Sequence, residues 1–172
     1  MDFFSEKKPS FDLVLREVNA WSKKLNFTFT RQLKEVVDIY ILNFNNGKTL
    51  KLDFGYYPYI RVEKGALYKE IMIDSLLDIA INKLATVNQR SSAKDFVDLY
   101  YLLDTFTMWD LIEGVKMKFR MKLDPWILGS DLAYAVNNFH TLPKMILPLT
   151  LVELKKFFHE KAKELGMKSV ER

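Results

Sequence analysis

The chain contains no cysteine, which removes disulfide frameworks and thiolate metal sites from consideration. Glycine is scarce, six in 172 residues, and neither GxGxxG nor GxxxxGK[ST] occurs. HExxH and GxSxG are missing too, which sets aside the zincin and nucleophile-elbow hydrolase classes. The two histidines, His140 and His159, stand too far apart to suggest a shared metal and read as surface or loop residues. No apolar run approaches the roughly 20 residues of a membrane span, so no membrane partner is expected. The opening MDFFSEKKPSFD has no basic segment followed by an apolar one, and does not read as a signal peptide. A cytoplasmic location is the default expectation. Charge of one sign is also lacking: 26 basic against 22 acidic residues leave +4, a mild preference for acidic partners.

What is present is enough for a real core. Hydrophobic residues make up 49% of the chain and aromatics 14%, in a length typical of one domain. Ser10 is placed to cap a helix over 11–25, with Phe11, Leu15, Val18 and Leu25 at near-helical spacing. Strand-like stretches follow at 27–30, 37–44 and 49–54, the last two joined by Asn45-Asn46-Gly47, a hairpin signal. A fourth short strand is expected around Tyr68–Ile73. Beyond it the chain turns helical. Ser75 with Asp78, and Ser92 with Asp95, show the capping-box pattern ahead of apolar runs. Further helices are expected near 107–120, 129–139 and 150–165, with Pro125, Pro143 and Pro148 in the connections. Sheet first and helices afterwards is an α+β order, with segments 1–73 and 74–172 expected to form one compact unit.

Several positions could carry chemistry. In Thr49-Leu50-Lys51-Leu52-Asp53-Phe54 a period of two puts the apolar residues on one face and Asp53 on the other, with Thr49 and Lys51. That face is either solvated or offers a carboxylate to a divalent cation, which takes hard oxygen ligands. Lys83 lies at the edge of its helix's apolar arc, either snorkelling to water or aimed at phosphate oxygens as a point charge. Asp95 and Asp98 share one helix face at i and i+3. Capping accounts for Asp95 and an i,i+4 pair with Lys94 for Asp98; alternatively both face Lys83, with Arg90 and Lys94 adding positive charge. The run Phe54-Gly55-Tyr56-Tyr57-Pro58-Tyr59 either stacks on a base or plugs the point where the strand leaves the sheet, the second being favoured. Trp21, Trp109 and Trp126 fall in helical patterns and read as core or core edge.

Taken in order, these segments resemble the nucleotidyltransferase AbiEii/AbiGii toxin family. Asp2-Phe3-Phe4-Ser5 is similar to the end of its D-x-D-hh-S stretch, and Lys51-Leu52-Asp53-Phe54 with Tyr56-Tyr57-Pro58-Tyr59 to the strand bearing its third carboxylate. Asp78-Ile79-Ala80-Ile81-Asn82-Lys83, then Arg90, then Lys94-Asp95-Phe96-Val97-Asp98-Leu99-Tyr100, resembles its helical signature, the most specific of the three. The resemblance runs from residue 2 to about 158 and implies a nucleotidyltransferase-like mixed or antiparallel sheet followed by a helical half. It implies Mg²⁺ or Mn²⁺ held by Asp2 and Asp53. It further implies phosphate or acceptor contact by Lys83, help from Arg90 and Lys94, and a final acidic residue that is Asp95 or Asp98.

The family's opening strand, glycine turn and first metal aspartate would precede Met1, so the resemblance implies a chain that starts inside its own motif. If the native protein has that motif, an enzyme is implied that transfers a nucleotidyl group from an NTP to an RNA, tRNA among the candidates, or to a protein. A cognate antitoxin would be its partner. The alternative is a non-catalytic module or relic that holds nucleotide, RNA or a partner protein in the same fold.

Overall fold

Leu50, Leu52 and Phe54 alternate with Thr49, Lys51 and Asp53, and Tyr40, Leu42 and Phe44 alternate with Ile39, Ile41 and Asn43. Each run therefore has one face to bury, and the two pair as an antiparallel hairpin. The structure, a computed structural model, describes residues 1–170. Its chain divides into two compact units, Met1–Ile60 and Arg61–Arg172.

The first unit runs β1 (Asp2–Ser5), α1 (Phe11–Leu25), β2 (Phe27–Leu33), β3 (Val37–Phe44) and β4 (Thr49–Tyr56). Its sheet has the order β1-β4-β3-β2, with β1 parallel to β4 and the other pairs antiparallel, so the sheet is mixed. Ser10 caps α1 by accepting from the Leu13 amide, and Asn26 ends it in the left-handed conformation at φ 53°. Gly47, at φ 77°, takes the left-handed position of the β3–β4 turn, where a side chain would be strained. Val14, Leu15 and Val18 of α1 belong to one apolar cluster with Phe3, Phe27, Tyr40, Leu42, Leu52 and Phe54 from all four strands. Within it Asp38 is fully buried and satisfied, accepting from Arg31 Nε at 2.8 Å and from the Tyr40 hydroxyl at 2.6 Å. Burial first, and then the hydrogen bond to Asp38, raises the Tyr40 pKa far above its ordinary value.

The second unit opens with β5 (Leu67–Tyr68) and β6 (Ile71–Met72), two short strands paired with each other. The single strand expected around Tyr68–Ile73 is thus a small hairpin turning at Lys69, whose φ is 55°. Five helices follow: α2 (Leu76–Gln89), α3 (Ala93–Leu102), α4 (Met108–Phe119), α5 (Pro125–Asn137) and α6 (Leu151–Val170). Pro125 is not in a connection, as the sequence suggested, but at the first helical position of α5. There its missing N–H costs nothing, while Asp124 caps the amides of Trp126 and Ile127. The core joins Ile81, Leu84, Phe96, Leu99, Leu111, Leu132, Leu154 and Phe158. Trp109 packs against it, as the expectation of core or core edge required, whereas Trp126 is 62% exposed and Trp21 of the first unit 39%. α2 and α4 cross closely at Gly114, where a Cβ would lie 2.4 Å from Ile81 Cδ1.

One buried charge pair ties this unit together. The Asp78 carboxylate is fully buried and accepts from Lys118 Nζ at 2.6 Å, from the amides of Val62 and Glu63, and from Ser75 Oγ. Ser75 Oγ in turn accepts from the Asp78 amide, capping α2. Burial pushes the Asp78 carboxyl up; hydrogen bonds from Lys118, Glu63 and Val62 outweigh it and hold the pKa below the usual carboxylate range. The sequence did not reveal this pair, although Lys118 continues the apolar stripe of Leu111 and Val115 on α4.

Replacing Lys118 with methionine leaves a buried carboxylate without its cation. The expected loss is about 3–5 kcal/mol of unfolding free energy, read as a lower urea midpoint. Lys116→Ala, which breaks only the exposed pair with Glu113 on the same helix, is expected to change it by less than about 1 kcal/mol. Equal effects from the two substitutions would contradict the assignment.

Candidate functional site

The sequence-derived candidates fall into two groups, one in each unit. In the first unit, the parallel register of β1 and β4 sets Asp2 beside Asp53 and Phe3 beside Phe54. Phe3 and Phe54 stack at 5.1 Å on the α1 side, so alternation puts both aspartates on the opposite face, with Lys51. Met1 N donates to Lys51 O at 2.8 Å and lies 3.9 Å from Asp2 Oδ1. Lys51 Nζ donates to Asp53 Oδ2, while Asp53 Oδ1 is buried and has no hydrogen-bond partner.

An ionised carboxylate oxygen stripped of water and left unpaired is costly, and a native structure has a reason for one. A divalent cation meets that demand, and Asp2 is its neighbour on the same face. Among the described residues no group of three or more His, Asp or Glu is placed to hold a metal. Asp2 and Asp53 are hard oxygen donors side by side on one sheet face, the residue type that a Mg²⁺-like ion takes.

The second group is built on α2 and α3. Lys83 Nζ lies between Asp95 Oδ1 at 2.9 Å and Asp98 Oδ2 at 2.5 Å. Arg90, the residue that ends α2, donates from Nε to the other Asp95 oxygen at 3.0 Å, with a terminal nitrogen 2.9 Å from the same atom. Ser92 makes no side-chain cap on α3, so the capping role that could have explained Asp95 is not what its carboxylate does. Nor does Asp98 pair with Lys94, which is exposed; it reaches across to Lys83.

Burial disfavours the charged form of Lys83, but the hydrogen bonds and charges of Asp98 and Asp95 outweigh it and raise the pKa. Burial likewise pushes Asp95 up, while Lys83 and then Arg90 bring it below its ordinary value. The four side chains carry two positive and two negative charges. Asp95 is nearly enclosed, with 4% of its side chain exposed, against 39% for Asp98 and 67% for Arg90.

The remaining candidates belong to neither group. His140 is exposed, and His159 is within 2.9 Å of Asn137 Oδ1. Just beyond β4, Tyr57 packs on Phe4 at 4.9 Å and on Tyr59 at 4.8 Å.

A family model described as nucleotidyl transferase AbiEii toxin, type IV TA system, matches residues 1–169. Among solved structures, the chain is similar to the crystal structure of JHP933 from Helicobacter pylori. The two share 22% identity over 99% of this chain and 78% of that one, with a TM-score of 0.49. No curated protein matches.

The ion pairs of α2 and α3 have a pH signature. Lys83, with its folded pKa raised, contributes stability below its unfolded value of about 10.4 and loses it as pH rises through the folded one. Asp95, with its folded pKa lowered, contributes above about 3.9 and loses it as pH falls through the folded one. Because Asp78 shares the acid limb, the diagnostic is the difference between wild type and Asp95→Asn. Urea titrations are expected to show that difference largest between these limits and shrinking at both ends. A difference independent of pH would contradict it.

Proposed function

The chain belongs to the nucleotidyl transferase AbiEii toxin family, and from that premise we propose a divalent-metal-dependent enzyme that transfers a nucleotidyl group from an NTP to RNA. Nucleotidyltransferases usually need a divalent metal, and membership of a toxin–antitoxin family implies a cognate antitoxin and an NTP substrate in general terms. The observation that carries the metal-dependent reading is Asp53, whose Oδ1 is buried without a partner on the same sheet face as Asp2.

In this reading Asp2 and Asp53 hold Mg²⁺ or Mn²⁺, which when bound neutralises phosphate charge as the transfer proceeds. Lys51 engages one Asp53 oxygen and leaves the other without a partner. Lys83 and Arg90 contribute positive charge toward the triphosphate, with Lys94 exposed on the next helix. The acceptor hydroxyl attacks the α-phosphorus, a P–O bond forms to it, and the bond to the β-phosphate breaks to release pyrophosphate. The hydroxyl proton passes to a carboxylate, for which Asp98 is the more exposed of the two on α3. The acceptor is taken as RNA because of the +4 charge balance.

The test incubates the purified full-length protein with Mg²⁺, total tRNA and each α-labelled NTP. Label is expected on tRNA, lost with chelator and reduced at least about a hundred-fold in Asp53→Ala. Label on protein alone would replace the acceptor. No transfer to either, or an Asp53→Ala variant as active as the parent, would sink the enzyme reading.

A further inference from the structure

The two carboxylates on α3 lie in surroundings that differ in kind. Asp95 is enclosed, and each of its oxygens takes a different cation, Lys83 on one and Arg90 on the other. Asp98 is more open and touches only the lysine among these cations. We infer that Asp95 is a positioning residue that sets Lys83 and Arg90 side by side as a two-cation clamp for a phosphate chain. Asp98, in the same inference, is the exchangeable counter-ion that the phosphate displaces.

The inference rests on the proposed use of this site for a triphosphate and adds the division of labour within it. A carboxylate bridging two cations brings them closer than their mutual repulsion would otherwise allow, and it offsets only one of the two charges. The pair that results still has a charge to give to a ligand. Arg90 has five N–H donors, and with Nε and one terminal nitrogen directed at Asp95 the rest of its fork stays open, as its 67% exposure shows.

Asp98 cancels the remaining charge through Lys83 alone. An anion bearing more charge than a carboxylate, with several oxygens to spread over both cations, competes for that place on favourable terms. Asp95 cannot be displaced in the same way, because releasing it would bury an unpaired carboxylate.

The two aspartates therefore predict opposite signs on substitution, which a merely structural role for either would not produce. Calorimetric titration of the full chain with inorganic triphosphate and Mg²⁺ is expected to show Asp98→Asn binding more tightly than wild type, by about three-fold or more. Asp95→Asn is expected to bind roughly ten-fold more weakly, since its amide would point hydrogens at one of the two cations. Arg90→Gln, at an exposed position that spares the core, is expected to lose a similar factor. The double variant Asp95→Asn with Arg90→Gln should lose little more than either single one, because Asp95 acts partly through Arg90.

Losses that multiply in the double variant, or Asp98→Asn weakening binding as Asp95→Asn does, would overturn the inference. So would Asp95→Asn binding triphosphate as wild type does, while leaving the nucleotidyltransferase reading intact. Wild-type protein that binds no triphosphate would overturn both.

Discussion

A carboxylate taken out of water must be given as many donors as it lost, and the helical unit is organised around one that is. Asp78 receives a lysine, two backbone amides and a serine hydroxyl. Those donors come from the segment entering the unit, from the start of α2 and from α4. Satisfying one side chain thus ties three stretches of chain that hydrophobic burial alone would leave free to slide. The Asp78–Lys118 pair adds a directional constraint to the buried face of Ile81, Leu84 and Ala85 that turns α2 toward the core. Lys83 lies on that helix, so its rotation decides whether the ammonium meets Asp95 and Asp98 or is drawn into the core.

The sheet unit meets an equivalent demand through register. β1 contributes only four residues, and its parallel pairing with β4 places Asp2 against Asp53 on the face away from α1. A slip of one residue would exchange Asp53 with Leu52 or Phe54 and drive a carboxylate into the aromatic cluster. Phe3 and Phe54 stacked at 5.1 Å resist that slip, so an apolar contact on one face secures a polar arrangement on the other.

Local patterns carried much of this. The bounds of α1, the hairpin at Gly47 and the two-faced strand bearing Asp53 all follow from periodicity and capping, which are properties of neighbouring residues. What escaped depended on partners distant in sequence. Asp95 read equally as a cap below Ser92 or as a partner of Lys83, and only the contact made twelve residues away decides for the second. Asp78 also looked like a cap, and there the serine bond does form; the ion pair with Lys118 spans forty residues and left no local trace beyond a lysine on an apolar stripe. Trp126 misled for the opposite reason. Its spacing is helical, but it lies off the face of α5 that Leu128 and Leu132 bury, and only its ring edge approaches Gly166 of α6.

The buried or nearly buried carboxylates of Asp38, Asp78, Asp95 and Asp53 can be ordered by how completely they are satisfied. Asp38 has an arginine and a tyrosine, Asp78 has four donors, and neither has reason to engage anything else. Asp95 is satisfied too, by Lys83, which also holds Asp98, and by Arg90, whose outer side remains exposed. Asp53 alone among them keeps a buried oxygen with no partner. Folding stability favours filling such gaps, since an unmade buried bond costs more than a made one returns. Among the described residues, Asp53 is thus where the protein's own donors leave a buried side-chain oxygen unmatched. In the reading proposed above, a divalent cation would supply the partner that Asp53 lacks within its own unit.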